Sequence, residues 1–162
     1  LLLVVALPRV RRALRRLAAL GRSTSGAVAV KGRLRLSGAE QDRLTALLAP
    51  PDTFTAEIDA RTLRRELYFH GNERVMDWLL LAQAEENGIV GSISSALALV
   101  RAWRPITLPV KGEDTLVLGL SPGPEVGEAI RAIELWWIDE DFAPSREACL
   151  EKLREIVNRR DS

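Results

Sequence analysis

The sequence predicts an all-α fold, a bundle or array of about six to eight helices. Apolar residues recur at three- and four-residue steps through most of the chain, which is the period of a helix with one buried face. Capping residues and glycine or proline breaks bound those segments. No alternating run is long enough to specify a sheet. With 162 residues, 47% of them hydrophobic, the chain is able to bury a core.

The first elements are two predicted helices separated by a polar loop. Leucines at helical spacing over residues 3–20 indicate the first. Ser37 and Glu40 form a capping box, because the hydroxyl accepts from the first turn while the carboxylate accepts from the Ser37 N–H. A second helix is therefore expected over residues 38–49, and the prolines at 50–51 end it.

Three further helices complete the first two thirds of the chain. Asp59 is placed to cap a helix that ends at Gly71, and Asn72 to cap the next. Another starts at Ser92 and stops before Pro105. The residues expected to face inward are Leu63, Leu67, Tyr68, Val75, Trp78, Leu79, Ala82, Ile93, Leu97, Val100 and Trp103.

The last third differs in composition, because residues 105–127 are rich in proline and glycine. A short helix is expected over residues 113–118, a longer one from Pro124, and a final one from Ser145. Their expected inward residues are Val126, Ile130, Ile133, Trp137, Cys149, Leu153 and Ile156. The change of composition predicts two subdomains, residues 1–104 and residues 105–162.

Charge is distributed unevenly along the chain. Residues 1–36 hold nine Lys or Arg and no acid, so the other 126 residues carry 14 basic against 22 acidic side chains. Such asymmetry is typical of a segment that binds a polyanion, although it equally fits the solvated face of an amphipathic helix. The apolar run at 1–7 is too short to cross a bilayer, and one cysteine suits a reducing cytoplasm. Without an initiator Met, the chain is expected to begin inside a longer protein.

The sequence matches no known catalytic motif, so neither a catalytic nor a metal site is predicted. His70 ends a predicted helix, where a structural role is favoured, and Cys149 falls on an inward face. The acids at 139–141 suggest a metal site, but neighbouring acids on a helix point in different directions. Core or interhelix packing is favoured over base stacking for the four tryptophans, Trp78, Trp103, Trp136 and Trp137.

Basic side chains give the best binding candidates. Their spacing places three arginines, at 61, 64 and 65, on one face of a helix, and three more basic residues flank the start of the last third. Neutralising phosphates with such groups gives affinity that does not depend on sequence. The six candidates are Arg61, Arg64, Arg65, Arg101, Arg104 and Lys111.

Several segments closely resemble the C-terminal region of bacterial CCA-adding tRNA nucleotidyltransferases. The family pattern has a Gly-Asp-Leu-like start and a Leu-Gly-x-x-Pro-Gly-Pro-x-hydrophobic-Gly run, matched here by residues 111–114 and 118–127. An acidic-aromatic continuation typical of alphaproteobacterial members resembles residues 136–147, and a body helix resembles residues 34–44. The likeness covers about residues 33–155. The family belongs to the class II nucleotidyltransferases, which include bacterial poly(A) polymerases.

The resemblance implies that residues 1–104 are a helical body, with a remnant of the neck in 1–36, and residues 105–162 a tail. In the family, body and tail hold tRNA by backbone and shape. An N-terminal head adds the nucleotides, using Mg²⁺ with CTP and ATP. The motifs of that head are not found here, so this chain is expected to bind tRNA, to need the head and neck as partners, and to be inactive alone. A protein-interaction module and a poly(A) polymerase fragment are the alternatives.

The Pro-Gly-Pro run adds one more candidate, Gly123. The turn over residues 121–124 presents the N-terminus of a helix, whose free amides suit a phosphate. The alternative is a packing turn in which Gly127 lets two helices approach closely.

Overall fold

A computed structural model describes residues 37–48, 50–51, 58–85 and 93–159. These residues contain no strand, which confirms the all-α prediction, and they form six helices, the lower end of the predicted number. The predicted first helix and the basic segment 1–36 lie outside the described residues. The helices are α1 (Gly38–Leu48), α2 (Ala60–Glu85), α3 (Ile93–Ala102), α4 (Gly112–Val117), α5 (Pro124–Asp139) and α6 (Arg146–Asn158).

The chain divides into two compact units, Leu1–Arg104 and Pro105–Ser162, called here the first and second units. In the first unit, α2 packs against both α1 and α3. In the second, α4, α5 and α6 all contact one another.

The first two helices begin at the predicted caps, whereas Ser92, the cap predicted for α3, lies outside the described residues. Ser37 N–H donates to Glu40 Oε2 at 2.7 Å, and Glu40 N–H donates to Ser37 Oγ at 3.4 Å, so the capping box is confirmed. Asp59 Oδ1 accepts from the N–H groups of Arg61 and Thr62 at 2.9 and 3.0 Å. The hydrogen bond from Ser37 N–H is the largest cause of the lowered pKa of Glu40. The pKa of Asp59 is also lowered, and the hydrogen bond from the Thr62 hydroxyl is the largest cause.

Gly71 breaks α2 at the predicted boundary. Its φ of 75° and ψ of 164° lie in a region that is essentially restricted to glycine. The next residue, Asn72, was predicted to cap its own helix, and the structure shows its Nδ2 donating to the carbonyls of Val100 (2.7 Å) and Trp103 (3.1 Å). The break thus places a side-chain cap at the C-terminal end of α3.

The core of the first unit lies between α1, α2 and α3. Trp78 fixes α1 on α2, because its Nε1–H donates to Ala46 O at 2.8 Å. Most of the predicted inward residues are buried, although Tyr68, Ala82, Leu97 and Trp103 are only partly so. The buried apolar residues are Leu44, Leu47, Leu63, Leu67, Val75, Trp78, Leu79, Leu81, Ile93, Ala96 and Val100.

Four of the seven inward residues predicted on α5 and α6 are buried, Ile133, Trp137, Cys149 and Leu153, and the other three need correction. The buried rows follow four-residue steps that start at Ala129 on α5 and at Cys149 on α6. Val126 and Ile130 are therefore only half-buried, and Val157 occupies the place predicted for Ile156. The core of the second unit consists of Val110, Ala129, Ile133, Trp137, Ile138, Cys149, Leu153 and Val157.

A different glycine from the predicted one allows the close approach of two helices. A Cβ at Gly127 would meet no described atom within 4 Å, so close packing at that position is wrong. At Gly112 a Cβ would lie 3.2 Å from Val126 Cγ1, which places α4 tightly against α5.

A polar junction holds the loops of the second unit. Asp114 Oδ2 accepts from Lys111 N–H at 2.7 Å, and Asp114 Oδ1 pairs with Arg146 Nη2 at 2.6 Å. The Arg146 guanidinium also donates to Pro109 O. Both interactions lower the pKa of Asp114, and the hydrogen bond from the Lys111 N–H has a larger effect than Arg146.

The end of α5 turns through two non-glycine residues with positive φ, Asp141 (55°) and Phe142 (64°). Local contacts with Trp137, in the last turns of α5, accompany this uncommon backbone. The Phe142 ring meets Trp137 edge to face at 5.1 Å, and Trp137 Nε1–H donates to Pro144 O at 3.2 Å. The acids of this segment thus belong to a helix end.

Candidate nucleic-acid interface

The first half of α2 carries the predicted group of arginines. Arg61 and Arg65 are exposed, whereas Arg64 is half-buried. The four-residue spacing of Arg61 and Arg65 places them one helical turn apart on one face, about 6 Å along the axis. The structure therefore brings two of the three predicted side chains to one surface.

An exposed aromatic residue continues this row. Phe69 follows Arg65 by another four residues, and 49% of its surface is accessible to solvent. Beside it lies an open cavity of 500 Å³. The lining residues are Pro51, Thr62, Arg65, Glu66, Phe69 and His70. Sequence reasoning missed Phe69, although its four-residue step from Arg65 was the signal that could have found it.

The buried side of this cavity is polar. Glu66 is only 8% exposed, and His70 Nε2 lies 3.4 Å from its Oε2. The His70 ring also meets Trp78 edge to face, with centroids 5.0 Å apart. His70, which directly precedes the break at Gly71, thus contributes packing and a polar neighbour for the Glu66 carboxylate.

The two arginines at the end of α3 differ from each other. Arg104 is exposed, and its Nη1 donates to the carbonyls of Arg101, Ala102 and Trp103 at 3.2–3.4 Å. This is a C-terminal cap, because those carbonyls lack helical partners. Arg101 is exposed in the last turn and lines a cleft of 250 Å³ beside Arg43. Arg101 is thus the more accessible of the two to a phosphate.

The remaining two candidates belong to the second unit. Lys111 is the exposed residue that precedes α4, where its backbone N–H is bound by Asp114. Gly123 precedes α5, with an extended backbone (φ 169°, ψ −171°) that other residues also adopt. Glu125 already places a negative charge in the first turn of α5. The turn before α5 therefore has a carboxylate of its own near the amides that were predicted to suit a phosphate.

A second charged cluster, not predicted from the sequence, joins α1 to α2. Arg43 donates to the carboxylate of Asp77, which is 1% exposed, and its Nη1 lies 3.4 Å from Glu73 Oε2. Arg43 Nε has no hydrogen-bond partner among the described residues. The neighbouring cleft, of 350 Å³, also receives Asp42 and Arg74, so its charges are mixed. The signal in the sequence was Asp77, the one acid in the otherwise apolar run of residues 75–81.

The described residues offer little for covalent or metal chemistry. Cys149 is fully buried, and burial raises the pKa of its thiol, which disfavours the nucleophilic thiolate. Within the same part of the chain, no group of three or more His, Cys, Asp or Glu side chains is placed to hold a metal ion.

Length and hydropathy also bear on membrane insertion. None of the helices in the described ranges is long and apolar enough to span a bilayer.

No protein-family model matches this sequence, and comparisons with curated proteins and with solved structures give no match.

Proposed function

We propose that this chain is the tRNA-holding C-terminal region of a CCA-adding tRNA nucleotidyltransferase. The observation that carries the proposal is the row of exposed arginines on α2, Arg61 and Arg65, which the sequence resemblance assigns to the body of such an enzyme. Rigid helices with exposed arginines suit a polyanion of fixed shape.

Such a surface would hold RNA without reading its sequence. The deep, narrow major groove of an A-form stem keeps side chains away from the base edges, whereas phosphates and 2′-hydroxyls remain accessible. Arg61 and Arg65, one turn apart, would contact phosphates of one strand, and Arg101 and Lys111 are further candidates. Arg104 is a weaker one, because its guanidinium is engaged at the end of α3.

A head and neck of the same protein would bind Mg²⁺ with CTP and ATP and transfer the nucleotides in the cytoplasm, whereas this chain alone would transfer nothing. A poly(A) polymerase parent is equally compatible with the C-terminal signature, because nucleotide choice resides in the head.

A protein-interaction module is the second candidate, and exposed apolar residues of the second unit favour it. Leu116 and Val117, at the end of α4, are 41% and 87% exposed, and Leu135 on α5 is 44% exposed. Apolar side chains on two helices are compatible with a partner surface.

Binding of tRNA across a salt series, with an equal-length DNA duplex as competitor, tests the proposal. We expect preferential binding of tRNA that weakens steeply with salt. The double charge reversal R61E/R65E should weaken binding about tenfold or more, and should lower the salt slope by roughly one per arginine.

The control is the double reversal R131E/R154E, which changes two exposed arginines of the second unit by the same total charge. It should reduce affinity much less. Equal losses in the two variants would mean that only net charge matters. Absence of tRNA binding at low salt, from a chain whose helicity is intact by circular dichroism, would reject the tRNA-holding role.

A further inference from the structure

The row Arg61, Arg65 and Phe69 combines two cations with an aromatic ring. Four-residue steps keep all three on one face of α2, and the cavity beside Phe69 has room for a small planar group. Glu66, which also lines the cavity, is nearly buried and lies next to His70, whereas the Arg65 side chain is exposed to solvent. Proteins that bind single-stranded nucleic acid combine cationic groups, which contact the backbone, with aromatic rings, on which bases stack.

The Phe69 ring is restrained although it is half-exposed. Tyr68 meets it edge to face, with centroids 5.3 Å apart and an interplanar angle of 76°. His70 lies on the other side in sequence, at 6.5 Å and 58°. Because neighbouring rings already fix its orientation, less conformational entropy is lost when a flat ligand stacks on it.

We infer that Phe69 stacks an unpaired base of the bound RNA while Arg65 contacts the phosphate of the same nucleotide. This inference depends on the proposed RNA-binding function and adds to it a preference for a single-stranded nucleotide beside the stem. A base inside a duplex is already stacked on its neighbours, whereas an unpaired base can leave the strand and lie on an aromatic face.

Two RNA hairpins with the same stem test the inference with the full chain. One hairpin has a blunt end, and the other continues into a short single-stranded 3′ extension. The blunt hairpin reports stem binding, and the ratio of the two affinities reports the contribution of the unpaired nucleotides. We expect the extension to increase affinity at least about fivefold, the lower range for one stacked base.

Substitutions at Phe69 identify the source of that ratio. Phe69→Leu keeps an apolar side chain of similar size but removes the aromatic face, so it should abolish the gain from the extension, measured as the ratio of the two affinities. Phe69→Trp should restore the gain. Val117→Ala, which shortens an 87% exposed apolar side chain of the second unit, should change neither affinity and serves as the control.

The outcomes separate the two proposals. If the blunt hairpin binds but the extension adds nothing, or if Phe69→Leu keeps the gain, the stacking inference is overturned and the RNA-binding proposal stands. If neither hairpin binds to the folded chain, both are overturned.

Discussion

The two units place their charged side chains differently. In the first, Asp77 is buried inside the helical core and pairs with Arg43, whose side chain is 23% exposed. In the second, the main ion pair lies at the edge of the fold, with side-chain exposures of 47% for Arg146 and 17% for Asp114. Removing the partner of a buried charge costs more stability than removing the partner of a solvent-accessible charge, because water cannot solvate the buried charge. The first unit should therefore be the more sensitive to loss of a single ionic partner.

Loss of Arg43 should have the largest effect on stability. Arg43→Met keeps the aliphatic stem but removes the cation beside the buried Asp77 carboxylate, which should lower the free energy of unfolding by about 3 kcal/mol. Denaturant-dependent hydrogen exchange of α2 peptides measures the loss in the first unit. The double variant R43M/D77L should recover part of it. A single variant within about 0.5 kcal/mol of the parent chain would contradict the difference between the units.

A backbone substitution at the break of α2 should have the next largest effect. Gly71→Ala introduces no clash, since no described atom lies within 4 Å of the new Cβ apart from the adjacent residues and nearby backbone of its own helix, so the expected loss of about 1–3 kcal/mol comes from the positive φ alone. Gly127→Ala is the matched control, because this glycine has equally open surroundings inside α5. It should stabilise the second unit by about 0.5–1 kcal/mol. Denaturant titrations of both variants measure these opposite signs, and destabilisation by both would argue against the backbone explanation.

The edge ion pair should give a smaller and pH-dependent effect. Asp114→Asn keeps the shape but removes the charge bound by Arg146 and the Lys111 N–H, at a cost of about 1–2 kcal/mol at neutral pH. Because folding lowers the pKa of Asp114, its contribution is present above the ordinary pKa of about 4 and is lost as pH falls through the folded value.

Denaturation of the second unit at a series of pH values from neutral to strongly acidic measures this dependence. The Asp114→Asn variant should differ less from the parent chain at the acidic end than at neutral pH. Glu113→Gln, which changes an exposed acid on the same short helix, is the control. A difference between the Asp114→Asn variant and the parent chain that does not change with pH would rule out the ionic role.

The rate at which Cys149 is labelled should give the smallest effect, because it reports opening of the second unit and does not change its stability. The thiol is fully buried and burial raises its pKa, so labelling by a maleimide should be roughly tenfold or more slower than for a free cysteine. Arg43→Met should leave this rate nearly unchanged if the units open separately, and Asp114→Asn should increase it. Rapid labelling of the parent chain would show that the second unit opens readily.

Helix boundaries were predictable because local chemistry sets them. The Ser37–Glu40 box, the Asp59 cap and the Gly71 break each involve neighbours in the chain, and each was found where the pattern placed it. On α5 and α6 three predicted inward residues, Val126, Ile130 and Ile156, are only partly buried, because several apolar positions were available and tertiary packing selects among them.

The candidate site was predictable only in part, because tertiary packing decides which side chains are exposed and which distant residues pair. Spacing alone placed Arg61 and Arg65 on one face, but it does not show whether an exposed guanidinium already caps a helix end, as that of Arg104 does. The apolar run around Asp77 marks that acid as unusual, but its partner Arg43 lies 34 residues away and cannot be identified from a local pattern. Exposure of Phe69 also depends on tertiary packing.

The side chain of Asn72 has a consequence for how the first unit folds. α3 has only ten residues, fewer than an isolated helix needs in water, and its last carbonyls are bound by an amide about thirty residues earlier in the chain. We therefore expect α3 to gain its order late, when the segment after Gly71 has already formed and can offer that amide. In a refolding experiment, backbone protection should appear in α2 before it appears in α3.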